Sequence, residues 1–194
     1  MIEAILNYQF MQNAIISCLL ASLVCGMIGV IIVEKNMLML SGGIAHTAYG
    51  GVGLGYLLGF EPIWGAVGFS VAAAFGIGFV KRHGGGGADV MIAMFWSLGM
   101  ALGIVFIGLA PGYQPNISSY LFGNILSVTR GDLLLMAGLA LIITCLVIVF
   151  FNNWQAYLFD EEFAHIIGLR TVLFEYLLLV IVALTVVVLI RMAG

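Results

Sequence analysis

One ionisable side chain stands in the middle of an apolar, glycine-rich stretch. It is His46, within Ser41–Gly55, where six of fifteen residues are glycine. An imidazole is a metal ligand and a proton carrier near neutral pH. At membrane depth such a group is costly, so it faces a bundle interior or a watery path. Gly42, Gly43, Gly50 and Gly51 remove side-chain bulk around it, which lets a second backbone approach closely. Tyr49, one turn from His46, either supports the imidazole through its hydroxyl or packs. The stretch therefore reads as a buried polar site inside a helix bundle. The plainer alternative is a helix crossing where His46 hydrogen-bonds a neighbouring carbonyl.

A second constellation lies at Tyr157–Leu169. Asp160 is placed to N-cap a short helix. Glu161 and Glu162 then fall in its first turn, where the helix dipole favours negative charge. Gly168 occupies the position after the helix end. Phe159, Phe163, Ile166 and Ile167 follow i, i+4, i+7, i+8 spacing and form one apolar stripe. Two readings stand together: a helix lying on lipid headgroups, or a plug for a protein groove. Its acidic polar face argues for the groove, since membrane-surface helices are usually basic.

The remaining candidates carry less chemistry. His83 falls in a basic, glycine-rich segment, Lys81–Gly87, and reads as a solvated loop residue. His165 lies on the short acidic helix as a contact residue. Met37 and Met39 allow a soft Cu(I) site, but methionine is also a routine gap filler. Cys18, Cys25 and Cys145 lie in apolar runs without a C-x-x-C and read as small buried hydrophobes. Glu175 is placed to pair with Arg170 or to line an exit, and Glu61 to meet a partner on its side of the membrane.

These residues must be positioned by membrane helices. The chain is 63% hydrophobic and 8% charged, with mean hydropathy +1.22. A soluble domain carries about 25% charged residues, so this composition cannot make a soluble surface. No basic patch is present to bind nucleic acid. About six spans follow, each long enough for a hydrocarbon core of about 30 Å. They run over 11–33, 37–59, 63–80, 89–110, 133–151 and 172–190. Residues 1–10 read as a short interfacial helix. No cleavable signal peptide is visible, so insertion is expected through the first span. Asp89 opens the fourth span and Asp132 is expected to cap the fifth. The stretch 111–131 carries two prolines and then Tyr120–Leu126, expected as a short, partly inserted helix. Asn152–Trp154 is expected to end the fifth span. Short-loop cations favour an external N-terminus: Lys35, Lys81, Arg82 and Arg170 fall inside, Arg130 and Arg191 outside. The fold expected is all-α, a single polytopic transmembrane domain over 1–194.

Four separated motifs occur in order: Met37–Gly55, the 88–109 span, Tyr120-Leu-Phe-Gly-Asn-Ile-Leu126 and Phe159–Leu169. Together with Thr185–Arg191 they resemble the integral-membrane permease of ABC-type zinc/manganese/iron importers, over nearly the whole chain. The resemblance implies a homodimer of two permease copies in the cell (plasma or inner) membrane. It implies a cytoplasmic ABC ATPase docked through a coupling helix. Here that helix is 159–169, with Phe159, Asp160, Glu161, Glu162, Phe163, His165 and Gly168. It also implies an extracytoplasmic metal-binding protein that delivers the ion, and a metal path past His46. The cargo would be a divalent zinc, manganese or iron ion, with no resident cofactor on this chain. Two departures are visible. Many family members have an aspartate four residues before the histidine, and here that position is Gly42. Family chains normally continue with further helices, which this sequence lacks. No G-x-x-x-x-G-K-[ST] occurs, so ATP hydrolysis is expected on a partner, not here. Two rival readings are an intramembrane metalloenzyme, which lacks an H-E-x-x-H cluster, and a non-transporting membrane scaffold or truncated permease fragment.

Overall fold

The computed structural model describes residues 7–83, 88–111 and 128–193. Its described secondary structure is entirely helical: α1 (Gln9–Glu34), α2 (Leu38–Leu58), α3 (Pro62–His83), α4 (Ala88–Leu109), α5 (Arg130–Val149), α6 (Phe151–Phe159), α7 (Glu161–Ile166) and α8 (Thr171–Ala193). Residues 1–6 of the expected interfacial helix, the Gly84–Gly87 stretch and the expected short helix at 120–126 lie outside the described residues.

Five helices, α1, α3, α4, α5 and α8, are long and apolar enough to cross a membrane. The sixth expected span, α2, has 21 residues, a length of about 32 Å at 1.5 Å per residue. Its glycines, His46 and hydroxyls lower its hydropathy, and its packing explains why that is tolerated. α2 is enclosed by α3 and α4, with α8 touching it as well. Every residue from Thr47 to Gly53 is buried. A helix covered by protein need not be apolar enough to face lipid.

The lipid-facing surface is where the cysteines sit. Cys18, Cys25 and Cys145 are free and exposed on the bundle's outside, not buried as expected. In a membrane bundle the apolar environment lies outside as well as inside, so an apolar run does not imply burial in protein.

Three boundaries differ from expectation for local reasons. α3 continues through Lys81, Arg82 and His83, where cations complement the helix C-terminus. His83 is therefore helical: its Nδ1 lies 2.9 Å from the Phe79 carbonyl, and its ring stacks on Phe79. α5 is capped by Thr129, and Asp132 is the reciprocal N3 partner. Asp132 Oδ2 accepts from Thr129 N at 3.0 Å, and Asp132 N donates to Thr129 Oγ1 at 3.2 Å. Such a capping box satisfies two backbone donors at once. Finally, Asn152–Trp154 does not end a helix. The chain turns at Phe150, and these residues open α6, which buries Trp154 and Tyr157 against Phe174 of α8.

Candidate functional site

α2 carries His46, and its neighbours are set by glycine. A Cβ at Gly51 would collide with the Gly65 carbonyl of α3. A Cβ at Gly50 would lie 2.9 Å from the Gly99 carbonyl of α4 and against Phe69. Both positions are backbone-to-backbone approaches that no larger residue permits unmoved. Gly43 faces the Ile92 side chain closely. Gly42 is different. A Cβ there would meet only the Trp96 ring, at an ordinary 3.5 Å. The buried Tyr49 packs its ring on the Gly103 backbone of α4. It also lines a void of about 20 Å³ with Ala45, Ala48, Ile63 and Arg191.

The half-buried His46 ring stacks on Trp96 of α4, centroids 4.2 Å apart and planes 13° from parallel. Its Nδ1 is buried and has no hydrogen-bond partner, so that nitrogen is not bonded to a neighbouring carbonyl. Among the described residues no group of three or more His, Cys, Asp or Glu side chains converges. His46 is therefore the one imidazole that the described residues bring to this place. Met37 is buried and Met39 is exposed, so the pair forms no common site. No short-range signal marks Trp96 as the partner of His46, since it lies fifty residues away on another helix.

Beyond one end of the bundle stands α7. Asp160 caps it, with Oδ1 accepting from Phe163 N at 2.9 Å. Glu161 and Glu162 are in its first turn, and Gly168 closes it with φ 88°. Phe159, Phe163, Ile166 and Ile167 are all exposed, so the apolar stripe is left uncovered by this chain. Only Ala164 of the helix is buried. α7 is tied to the bundle through Lys35. Its Nζ donates to the Tyr157 carbonyl at 2.9 Å, lies 3.8 Å above the Tyr157 ring and is 3.5 Å from Glu161. Burial pushes the Tyr157 phenol well above its ordinary pKa, the charges of Glu161 and Glu175 push the same way, and Arg82 opposes them.

Glu175 is buried in α8 and does not pair with Arg170, as proximity in sequence suggested. It binds Lys81 at 2.8 Å and Arg82 at 2.5 Å, both from the last turn of α3. At the opposite end, Arg191 Nε lies 2.6 Å from Asp132, and Nη1 lies 3.8 Å from the more exposed Glu61.

Five helices apolar enough to span a membrane, a glycine-packed helix between α3 and α4, and a capped helix beyond one end define a multi-pass membrane protein. The chain belongs to the ABC 3 transport family, whose pattern matches residues 7–194. It is 45% identical over its whole length to an uncharacterized membrane protein of Synechocystis, spanning 70% of that protein. It is 31% identical to the manganese transport system membrane protein MntC of Listeria monocytogenes, over 100% of this chain and 69% of the relative. Among solved structures, PsaBC from Streptococcus pneumoniae in complex with Fab contains a chain with TM-score 0.82 and 31% identity. The match covers all of the present chain and 69% of that one.

Proposed function

We propose that this chain is the membrane-spanning subunit of an ATP-driven importer of divalent transition metal ions. The observation that carries the reading is His46: an imidazole nitrogen, buried and unpartnered, on a helix otherwise given over to close packing. A buried polar atom without a partner costs about 1–3 kcal/mol, and a passing cation would satisfy it. One imidazole is a weak ligand set, since firmly held zinc takes three or four ligands. A transported ion must also be released, and a second permease copy brings a second His46. Gly43, Tyr49, Gly50 and Gly51 hold α2 against α3 and α4 so that this face keeps its shape, and Gly42 leaves room for the Trp96 ring beside His46. Manganese, the ion named for the Listeria relative, is the first candidate, with iron and zinc behind it.

Energy would come from a separate cytoplasmic ATPase, since this chain has no phosphate-binding loop. α7 is the docking element in this reading. Phe159, Phe163 and the neighbouring isoleucines would enter an apolar groove, with Glu162 at its rim, and Asp160 and Gly168 would fix the two ends. An extracytoplasmic metal-binding protein would deliver the ion at the end that carries Glu61.

The test is uptake of manganese, iron and zinc by vesicles carrying the complete complex, wild type against His46→Ala, with assembly checked alongside. Loss of uptake with assembly intact is the expected result. Unchanged uptake of all three ions returns His46 to a packing role on Trp96.

A further inference from the structure

A groove of about 690 Å³ opens where α3, α8 and the segment after α7 meet. Phe75, Tyr176, Val172 and Leu173 form its apolar part, and His165 and Arg170 line it as well. Phe75 lies six residues before Lys81 on α3, about 9 Å toward the membrane centre at 1.5 Å per residue. With Lys81 at headgroup level, Phe75 would lie among acyl chains, and Val172 and Leu173, two and three residues after Arg170, would lie about 3–5 Å below it.

Arg170 is the unusual member. Lys35, Lys81, Arg82 and Arg191 each have a carboxylate partner, and the Gln9 side-chain amide lies against Arg130. Arg170 has no such partner among the described residues. It also immediately precedes α8, whose first turn holds no acid. A cation at a helix N-terminus faces like charge from the dipole. Glu175, five residues on, is already held by Lys81 and Arg82. Glu161 is held by Lys35, and neither it nor Glu162 lines the groove. Arg170 is exposed and free to meet an anion, and the apolar wall beside it suits a hydrocarbon tail on the same molecule.

We propose that this groove binds one anionic phospholipid from the leaflet on the α7 side, its phosphate at Arg170 and an acyl chain along Phe75, Val172 and Leu173. Basic pockets between membrane helices hold acidic headgroups in this manner. Because the groove is bordered by the segment that closes α7, the lipid would brace the junction of α7 with α8.

The experiment is native mass spectrometry of the full chain in detergent with phosphatidylglycerol or phosphatidylcholine of identical acyl chains. Wild type is expected to retain phosphatidylglycerol about fivefold better, the scale of one interfacial cation. Arg170→Gln should bring the two lipids to parity. Leu173→Trp, at a side chain facing outward, should reduce retention of both. Absence of any phosphatidylglycerol preference in wild type overturns the proposal, and needs no variant to fold. So does equal competition by glycerol phosphate, which lacks a tail. An Arg170→Gln chain that keeps its lipid preference but no longer captures the ATPase would reassign the groove to that protein.

Discussion

At the level of single residues, the glycines of α2 are not interchangeable. Gly51 abuts the Gly65 carbonyl, and the obstacle is backbone, which cannot rotate away. Gly51→Ala should force α2 and α3 apart and lower stability by about 1–3 kcal/mol, the usual cost of overpacking. Thermal unfolding of the detergent-solubilised chain reads this directly. Gly42→Ala, which meets only an ordinary ring contact, should stay within about 0.5 kcal/mol of wild type. Equal behaviour of the two variants would contradict the α2–α3 contact. The glycine pattern and the lone His46 were legible in sequence, because both are local departures from a lipid-facing composition. Trp96 was not, since a stacking partner is set by how helices align and not by spacing along one of them. For the same reason spacing alone leaves Tyr49 between two roles, and its contact with the Gly103 backbone makes it a packing residue.

Among the elements, α7 was legible almost residue by residue, and the ion pairs were not. Capping is decided within four residues, so Asp160 and Gly168 announced themselves. Replacing Asp160 with Ala should cost about 1 kcal/mol of local stability, read as faster amide exchange across 161–168. Glu162→Lys should weaken ATPase capture while leaving the fold intact, since Glu162 is exposed and unpaired among the described residues. Unchanged capture would remove the acidic rim from the docking surface. Sequence proximity offers Arg170, five residues away, as a partner for Glu175, with lining an exit as the alternative. Its real partners reach it from the end of α3, where the chain was expected to have left the helix. Glu175→Gln leaves Lys81 and Arg82 facing each other without the charge between them. Breaking a buried pair costs about 3–5 kcal/mol. Both cations retain partial solvent, so a loss of about 1–3 kcal/mol is expected, read from thermal unfolding. The Tyr157 phenol adds an alkaline signature. Its folded pKa lies above the unfolded value of about 10, so its contribution is complete below pH 10 and is lost as pH rises beyond. Tyr157→Phe should flatten that alkaline decline.

Across the whole molecule, the charges sort to two ends. Lys35, Lys81, Arg82, Glu161 and Glu175 gather beside α6 and α7, and Glu61, Asp132 and Arg191 gather at the other end. Hydropathy picked out five spans and passed over α2, whose low hydropathy is tolerated because it packs against α3, α4 and α8. Loop charge favoured the α7 end as cytoplasmic, and every docking argument depends on that orientation. It can be tested in intact cells with a membrane-impermeant maleimide. Cys18, Cys25 and Cys145 face outward from the bundle, so replacing all three with Ala should cost little packing and gives a clean background. In it, Glu61→Cys should label from outside, since Arg191 keeps Asp132 as its closer partner. Glu34→Cys, exposed at the far end of α1, should label only after lysis. The reverse pattern would place α7 outside the cell, away from any ATPase, and the coupling role would fall with it, while the His46 site and its packing would stand unchanged.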